Sequence, residues 1–500
     1  MSYYLGVDIG TFETKGVLAD PEGRIVARAA RGHKMLVPQA GWAEHRPRED
    51  WWGDFVHVTG TLLADSGIDP GAIRAVATSA IGPCMLPVDA QGEPLMNAVL
   101  YGVDNRAATQ VDELTAQIGE EAILERCGNA LTAQSVGPKI LWLKRNHPDI
   151  YARTAHVLNS TSFLVQRLTG RVVIDHYSAA NTSPLYDMAA RRYVTDLSAD
   201  IIEPERLPEP VWTTEIVGQV AAKAAAETGL AAGTPVTAGT IDAAAEAVSI
   251  GVLSPQQMMV MYGSSIFIIM PTAQWVRDRR LWSAPWLFEG QYASMAGIPT
   301  AGTLTHWFRD QFARDLDAET AFADLVGETQ DSPPGANGLI LLPYFSGART
   351  PIHDSHAKGM LFGLDLTHTR GDMFRALLEG IAYGTAHVIE TYRDIGQGPE
   401  SLHAVGGGTR NAVWMQATSD VAAMGQVMRE KSIGASYGDA FLAALALGDV
   451  AAGDIERWNP IASEVAPLPE NAALYQRQYA IFKNLYSQTR DLMAAIDGPL

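Results

Sequence analysis

The segment LGVDIGTFETK, residues 5–15, decides how the N-terminal half of the chain folds. Its first residues are apolar and β-prone, DIGT at 8–11 interrupts them, and a second β-prone run follows at 15–19. The next turn is at 21–23, and residues 24–29 can pair with the strand before it. The pattern predicts antiparallel strands at the start of a sheet.

The glycine turn at residues 8–11 is also a candidate ligand site. Glycine lets a backbone approach a phosphate closely, and Thr11 adds a hydroxyl donor beside Gly10. Asp8 offers the carboxylate oxygen that Mg²⁺ prefers, and it would hold the ion through water. The alternative is a tight hairpin turn in which Asp8 bonds its own backbone. The turn taken alone does not decide between the two.

The rest of the chain mixes strands and helices in an order that favours an α/β fold. Residues 50–65 have helical spacing, and the apolar face carries Trp51, Phe55, Val58 and Leu62. Each half contains a strand–glycine turn–strand hairpin, so an internal duplication is a hypothesis. We place the domains at 1–247 and 248–500. No Pro/Gly/Ser-rich linker separates them, so we expect the halves to pack directly with a ligand between them.

Composition excludes several classes of protein. A chain of 500 residues, 47% hydrophobic and 19% charged, can bury a sizeable core, so it is not disordered, collagen-like or a disulfide scaffold. The net charge of −19 argues against nucleic acid as a partner, because a negative field repels phosphates. The N-terminus has no signal-peptide pattern and no run of 18 apolar residues occurs, so we expect a cytoplasmic protein with no membrane partner. Cys84 and Cys127 have no metal-binding spacing; reduced thiols are the simpler interpretation, and a single bridge stays open.

Two further glycine turns lie in the second half. YGSS at 262–265 sets a glycine and two hydroxyls between β-prone runs, although these are also ordinary turn residues. GGGTRN at 406–411 follows a short strand and precedes a helix, and its three glycines leave a flat backbone for a purine ring. It is not the dinucleotide fingerprint, because Asn411 stands where the last glycine belongs, and the chain has no GxxxxGK[ST].

Asp242 is the candidate general base. It follows an apolar strand and a glycine turn in AGTIDA, residues 238–243, and begins a predicted helix. The alternative is a helix cap, because a helix N-terminus stabilises a carboxylate. The phosphate-type turns elsewhere in the chain favour the catalytic role. His353 and His356 resemble a metal-ligand pair, but such a pair in a loop is more often hydrogen-bonded structure.

Together these segments resemble the FGGY family of carbohydrate kinases, in order and over nearly the whole chain. One match alone is weak, but this many in order is a specific signal. The matching segments are residues 5–15, 41–44 (GWAE) before Trp51-Trp52, 101–106, 139–143 (KILWL), 359–379 and 406–416. The resemblance implies two actin/Hsp70-like (ribonuclease H-like) α/β domains, with mixed sheets flanked by helices and an interdomain cleft.

The resemblance also implies an activity, the ATP-dependent phosphorylation of a sugar hydroxyl. Asp242 would accept the hydroxyl proton, and Asp8 would hold Mg²⁺ through water. The residues implied for nucleotide binding are Gly10, Thr11, Lys15, Gly263, Ser264, Gly302, Gly407, Gly408 and Asn411. The residues implied on the sugar side are Asp104, Arg106, Gln134 and Asp242 itself.

Two positions depart from the family pattern. Phe12-Glu13 stand where small hydroxyl residues are usual, so Glu13 must point away from the phosphates. Gly82-Pro83 stand where xylulokinases place Met-His and glycerol kinases place Arg-Glu, and they offer no side-chain hydrogen bond. The remaining pattern is most similar to the xylulokinase-like branch, which makes D-xylulose the leading substrate. Another ketopentose or polyol, such as ribulose, L-xylulose, glycerol or erythritol, stays open.

Two other functions are compatible with the same fold. A non-catalytic sugar- or ATP-binding regulator of the repressor type would carry a basic helix-turn-helix arm and would not need Asp242. A chaperone-like or filament-forming ATPase would carry a peptide-binding extension or filament loops, and it would hydrolyse ATP without a sugar. The resemblance is also compatible with a homodimer.

Overall fold

The computed structural model describes residues 2–197 and 200–496. Contacts divide the chain into two compact units. The first unit comprises Met1–Leu253, Ala273–Ala293 and Ile433–Pro460, and the second comprises Ser254–Thr272, Ser294–Ser432 and Ile461–Leu500. The predicted domains, 1–247 and 248–500, are continuous segments of the chain, whereas each of these units combines three separate segments. The interdomain cleft stays a prediction.

The strands are numbered β1 to β24 in chain order. They are Tyr3–Ile9, Glu13–Ala19, Ile25–Gly32, Glu44–His45, Ile73–Ala80, Leu86–Val88, Ala98–Val99, His156–Leu158, Val173–Asp175, Tyr186–Asp187, Arg192–Tyr193, Glu209–Val211, Ile216–Gln219, Pro235–Thr237, Thr240–Ile241, Gln257–Tyr262, Ile266–Thr272, Trp282–Pro285, Tyr292–Ile298, Ile340–Leu342, Met360–Phe362, Ser401–Val405, Gln426–Arg429 and Ile461–Val465.

The α-helices are numbered α1 to α16 in the same way. They are Asp54–Ser66, Ala108–Ile118, Glu120–Cys127, Val136–Asn146, Pro148–Arg153, Ser160–Thr169, His176–Ala179, Ala222–Thr228, Asp242–Ser249, Gly302–Phe312, Ala321–Glu328, Arg370–Asp394, Ala412–Ala422, Ala435–Ala446, Ile455–Trp458 and Ala472–Ile496. Within the described residues, none of these helices has both the length and the hydrophobicity needed to cross a membrane.

The first unit is built on a mixed sheet with the strand order β13-β14-β5-β1-β2-β3. Strands β1, β2 and β3 are antiparallel, as the sequence predicts, and β5 pairs with β1 in parallel. The register sets Asp8 beside Lys15 on β2 and beside Ser79 on β5. Neighbours in register project to the same face of a sheet, so these three side chains share one face.

Helices cover both faces of this sheet. On one face α14 packs against β1, and a Cβ added to Gly6 would lie 2.0 Å from the carbonyl oxygen of Ser436, so only glycine permits this approach. On the other face a Cβ added to Gly16 would lie 2.5 Å from Val58 of α1. The predicted apolar face of residues 50–65 is confirmed, because its members are fully buried: Trp51, Phe55, Val58 and Leu62. Cys84 and Cys127 are separate buried thiols.

The second unit repeats this arrangement of strands. Its sheet runs in the order β19-β17-β16-β22-β23-β24. Strands β16 and β17 form an antiparallel hairpin, and β22 pairs in parallel with β16. In both units, therefore, the first strand of a hairpin also pairs in parallel with a later strand. The predicted α/β class, with two units of mixed sheet and flanking helices, is confirmed.

Candidate active site

The turn between β1 and β2 carries two of the predicted ligand residues, Gly10 and Thr11. The N–H of Gly10 donates to the carbonyl oxygen of Glu13 at 2.9 Å, which closes the turn. Lys15 follows on β2, and its ammonium lies 3.3 Å from the carboxylate of Glu13, with both side chains 45% exposed. The two charged side chains at the start of β2 therefore form an ion pair with each other.

Asp8 belongs to a chain of buried polar groups. The hydroxyl of Ser79 lies 3.0 Å from the Asp8 carboxylate and 2.7 Å from the carboxylate of Asp439, on α14. Burial raises the pKa of both carboxyls well above the ordinary range, and the charge of Asp242 raises that of Asp8 further. One hydroxyl proton cannot serve two carboxylates, so the set needs a second proton. The pKa is raised at both carboxyls and does not choose between them, but a proton on Asp439 leaves Asp8 ionised and able to hold a cation. Asp439 lies too far along the chain for sequence spacing to have linked it to Asp8.

A Mg²⁺ ion fits beside Asp8 as a partly hydrated ion. In the part of the chain that the structure describes, no group of three or more carboxylate, histidine or cysteine side chains could enclose a metal. Mg²⁺ keeps several waters and is usually bound by one or two carboxylates together with substrate phosphates. Asp8 supplies such a carboxylate. Burial raises its pKa and the charge of Asp242 raises it further, so a cation beside Asp8 would favour its ionised form.

Asp242 is the first residue of α9 and is partly buried. Its Oδ1 accepts a hydrogen bond of 2.7 Å from the N–H of Ala243. Burial raises the pKa of Asp242 to about 7, and the hydrogen bond from Ala243 opposes the shift. A carboxylate with a pKa close to the working pH can both take and release a proton, as a general base must.

Glu246 lies one turn further along α9, and no motif or spacing in the sequence points to it. Burial raises the pKa of Glu246 to about 7, the charge of Lys15 lowers it, and the charge of Asp242 raises it. The two carboxylates are therefore linked electrostatically, so each makes ionisation of the other harder.

The loop that leads to Asp242 is held by buried hydroxyl groups. The Thr240 hydroxyl donates to Oδ2 of Asp175 at 2.8 Å, and the Thr161 hydroxyl donates to the Thr240 carbonyl oxygen at 2.9 Å. Gly239 has φ +71°, and a Cβ there would lie 2.4 Å from the carbonyl oxygen of Thr78. Only glycine meets both conditions, so the turn before Asp242 is fixed on several sides.

The structure places Asp104 and Arg106 inside a buried ion-pair network. Both side chains are 0% exposed, and Arg106 donates to Asp104 at 2.8 Å and to Glu44 at 2.9 Å. Asp104 also accepts from the N–H of Ala43 at 2.7 Å, and the Arg106 guanidinium lies 3.9 Å from the ring centroid of Trp42. These contacts engage both residues with the protein itself, and their predicted contact with a sugar stays a prediction.

Gln134 and Tyr101 supply polar groups beside the predicted sugar side. Oε1 of Gln134 accepts from the N–H of Gly102 at 3.0 Å. The Tyr101 hydroxyl lies 3.5 Å from Oγ1 of Thr11, and burial raises the pKa of this phenol. The charge of Asp242 also raises it, so Tyr101 lies within electrostatic reach of the candidate base.

Gly82 packs directly against the residue before Asp242. A Cβ added to Gly82 would lie 2.8 Å from Cγ1 of Ile241. A larger residue at this position would therefore force the Ile241 side chain to shift. Steric fit beside the base accounts for a glycine where the family's polar residues are usual.

In the second unit, a cavity of about 730 Å³ collects six of the predicted nucleotide residues. These are Gly263 and Ser264 after β16, Gly302 at the start of α10, and Gly407, Gly408 and Asn411 between β22 and α13. Apolar side chains complete the lining, including Phe322, Val326, Phe374 and Trp414. A volume and lining of this kind suit a flat, largely apolar ring system with polar groups at one end.

Close packing requires glycine at two positions of this cavity, Gly302 and Gly408. The N–H of Gly302 donates to the carbonyl oxygen of Gly263 at 3.0 Å, and a Cβ on Gly302 would lie 2.5 Å from that oxygen. A Cβ on Gly408 would lie 2.6 Å from the Trp414 ring, whereas one on Gly407 would meet no atom within 4 Å. Oδ1 of Asn411 accepts from the N–H of Trp414 at 3.1 Å and caps α13.

Comparison with known proteins identifies the family. Residues 3–249 match the N-terminal domain of the FGGY family of carbohydrate kinases, and residues 258–447 match its C-terminal domain. The chain belongs to this family. It is a carbohydrate kinase, with a small sugar and ATP as its substrates.

Relatives of this kinase cover its whole length. It is similar to the xylulose kinase of Rhodospirillum rubrum, with a TM-score of 0.92, 32% identity and coverage of 98% and 99% of the two chains. The xylulose kinase of Bacillus subtilis is 28% identical over 502 residues, covering 99% of each chain. The gluconokinase of Bacillus subtilis is 26% identical over 501 residues, covering 97% of this chain and 95% of its own.

Proposed function

We propose that this kinase transfers the γ-phosphoryl group of ATP to a hydroxyl of D-xylulose, giving D-xylulose 5-phosphate, with Asp242 as the general base. The observation that carries the proposal is the Asp242 carboxyl itself: it begins α9, it is partly buried, and its pKa is raised to about 7. The xylulose kinases among the relatives support the choice of sugar.

In the proposed reaction, the sugar hydroxyl oxygen attacks the γ-phosphorus of ATP. The new O–P bond forms as the bond to the ADP oxygen breaks, and the hydroxyl proton passes to the Asp242 carboxylate. Thr11 and Ser264 donate hydrogen bonds to phosphate oxygens. Mg²⁺, when bound beside Asp8, neutralises charge on these oxygens. Gly407 and Gly408 offer backbone surface to the adenine ring.

The charges near the predicted sugar segment favour a neutral sugar over a sugar acid. Gluconate carries a carboxylate, which needs a cation or several donors when it is buried. Arg106 is paired with Asp104 and Glu44. The Lys139 ammonium donates to the carbonyl oxygens of Leu100 and Tyr101. Both buried cations of this region are already engaged, whereas Gln134 and Tyr101 suit the hydroxyls of a neutral sugar.

A panel of sugars tests the proposal. ADP release is measured with MgATP and each of D-xylulose, L-xylulose, ribulose, glycerol, erythritol and gluconate. The proposal predicts the highest kcat/KM with D-xylulose. A higher kcat/KM with another compound would keep the kinase and discard the sugar. Because gluconokinases are also among the relatives, gluconate is the comparison that matters most.

A further inference from the structure

Two histidines contact the backbone carbonyl groups of the turn between β1 and β2. Nε2 of His33 lies 3.1 Å from the carbonyl oxygen of Gly10, and Nε2 of His45 lies 3.0 Å from the carbonyl oxygen of Thr11. The N–H of His33 also donates to the carbonyl oxygen of Phe12 at 2.9 Å. The two rings meet edge to face, with centroids 4.9 Å apart. Successive carbonyl groups of the turn are therefore fixed by two neighbouring imidazoles.

Fixing these carbonyls also fixes the amide groups on the opposite side. In a planar trans peptide the N–H points away from the C=O, so the N–H groups of Thr11 and Phe12 point away from the histidines. Among the described residues, no oxygen accepts a hydrogen bond from either N–H. Two adjacent unpaired amide donors form a site for an anionic oxygen.

The two histidines differ in their protons. The Trp51 indole N–H donates to Nδ1 of His45 at 3.0 Å, so this ring is neutral and carries its proton on Nε2. Burial lowers the pKa of His45 to about 4, and the charge of His33 lowers it further. His45 therefore donates to Thr11 as a neutral imidazole.

His33 faces acceptors at both nitrogens. Its Nε2 meets a carbonyl oxygen, and its Nδ1 lies 2.8 Å from Oδ2 of Asp54. Asp54 also accepts a hydrogen bond of 3.2 Å from the Thr14 hydroxyl and lies 3.1 Å from Nε of Arg31, so both of its oxygens act as acceptors. Both side chains of the His33–Asp54 pair are 3% exposed. Each nitrogen of His33 must then donate a proton, which makes the ring an imidazolium.

We propose that His33, as an imidazolium paired with Asp54, is a positioning residue of the phosphate turn. It holds the Gly10 carbonyl and, through that peptide, the Thr11 N–H, while His45 holds the Thr11 carbonyl and the Phe12 N–H, so that both amides stay aimed at a phosphate oxygen of ATP. The proposal rests on the proposed function, since it takes ATP as the ligand of this turn. The charged groups that face the ring are Asp54 on α1 and Arg31 on β3, and the titratable His45 on β4 faces it as well.

The first test observes the protons in the ligand-free enzyme. ¹⁵N-histidine NMR near pH 6.5 is assigned with His33→Gln and His45→Gln. The expected result is two protonated nitrogens on His33 and one on His45. A single protonated nitrogen on His33 would overturn the proposal. This measurement needs no substrate, so its outcome is separate from whether the enzyme phosphorylates a sugar.

The second test compares the KM for ATP in His33→Gln and His33→Ala. Gln keeps an N–H donor for the Gly10 carbonyl, whereas Ala keeps none. The KM for ATP should therefore rise by roughly fivefold in His33→Ala and by less in His33→Gln. The KM for the sugar should stay at the wild-type value in both variants. An unchanged KM for ATP in His33→Ala would contradict the assigned role, even if sugar phosphorylation is confirmed.

Discussion

The hydroxyl of Thr240, two residues before Asp242, donates a hydrogen bond of 2.8 Å to the buried carboxylate of Asp175. Thr213 donates to the same oxygen at 3.3 Å from a different part of the first unit. Burial raises the pKa of Asp175 to about 6, and these hydroxyls oppose the shift. Asp175 therefore connects a structural polar cluster to the loop that carries the base.

Replacing Thr240 by Val should lower kcat and the melting temperature, whereas Thr213→Val should lower the melting temperature by a similar amount with little change in kcat. The substitution frees the loop before Asp242, and a small displacement of a catalytic group costs roughly tenfold or more in rate. Thr213→Val is the matched control, because it removes a donor from the same carboxylate without touching the loop. Steady-state kinetics and thermal melting of both variants check this. Equal losses of kcat in the two variants would argue against a positioning role for Thr240.

Asp439→Asn should stabilise the enzyme at alkaline pH. Burial raises the folded-state pKa of Asp439 well above its ordinary range, so the folded chain holds a proton that the unfolded chain releases. Stability is then greatest at acidic pH and falls as pH rises past the unfolded pKa. A neutral amide removes that fall.

The Tm of Asp439→Asn should exceed that of the wild type at pH 8 by about 2 °C or more, with a smaller difference at pH 5. Asp65→Asn, at an exposed position, serves as the control and should change neither value. A Tm difference that does not depend on pH would contradict the assignment of the proton to Asp439.

The rate of phosphoryl transfer should follow the ionisation of Asp242. Its pKa is raised to about 7, and only the ionised carboxylate accepts a proton, so kcat/KM should rise from pH 5 and level off above about pH 8. Glu246→Gln removes a like charge and should move the midpoint of this rise to lower pH. The pH dependence of kcat/KM is measured for both enzymes. An unchanged midpoint in Glu246→Gln would show that Glu246 does not affect the ionisation of Asp242.

Gly407→Ala should weaken ATP binding without destabilising the fold. A Cβ at this position meets no protein atom within 4 Å, so the methyl group occupies only the space proposed for the nucleotide. We expect the KM for ATP to rise about tenfold, the change that 1.4 kcal/mol gives. Gly453→Ala, at another position with no atom within 4 Å, is the control. An unchanged KM in Gly407→Ala would place the adenine ring elsewhere.

Local sequence patterns predicted the elements with clear periodicity and turn chemistry. Helical spacing predicts the buried face of α1, and the glycine turns after β16 and β22 line one cavity, while their role as ligand sites stays a prediction. The 25-residue helix Ala472–Ile496 has no clear periodicity in the sequence, because only four of its residues are buried and its apolar face is narrow.

Contacts between distant parts of the chain could not be predicted in this way. Ser79 and Asp439 meet across 360 positions, and the Thr11 carbonyl meets His45 across 34. The sequence alone does not show whether polar residues such as Asp104 and Arg106 contact a ligand or pair with each other. Only the fold shows that these two form a buried ion pair.

Sugar-dependent ADP release by Asp242→Asn beside the wild type tests directly whether Asp242 is the base of a sugar kinase. We expect the wild type to release ADP only when the sugar is present. We expect the variant to lose roughly 10²- to 10⁴-fold in kcat while still binding MgATP. A wild-type rate in Asp242→Asn, or ADP release that needs no sugar, would contradict this role.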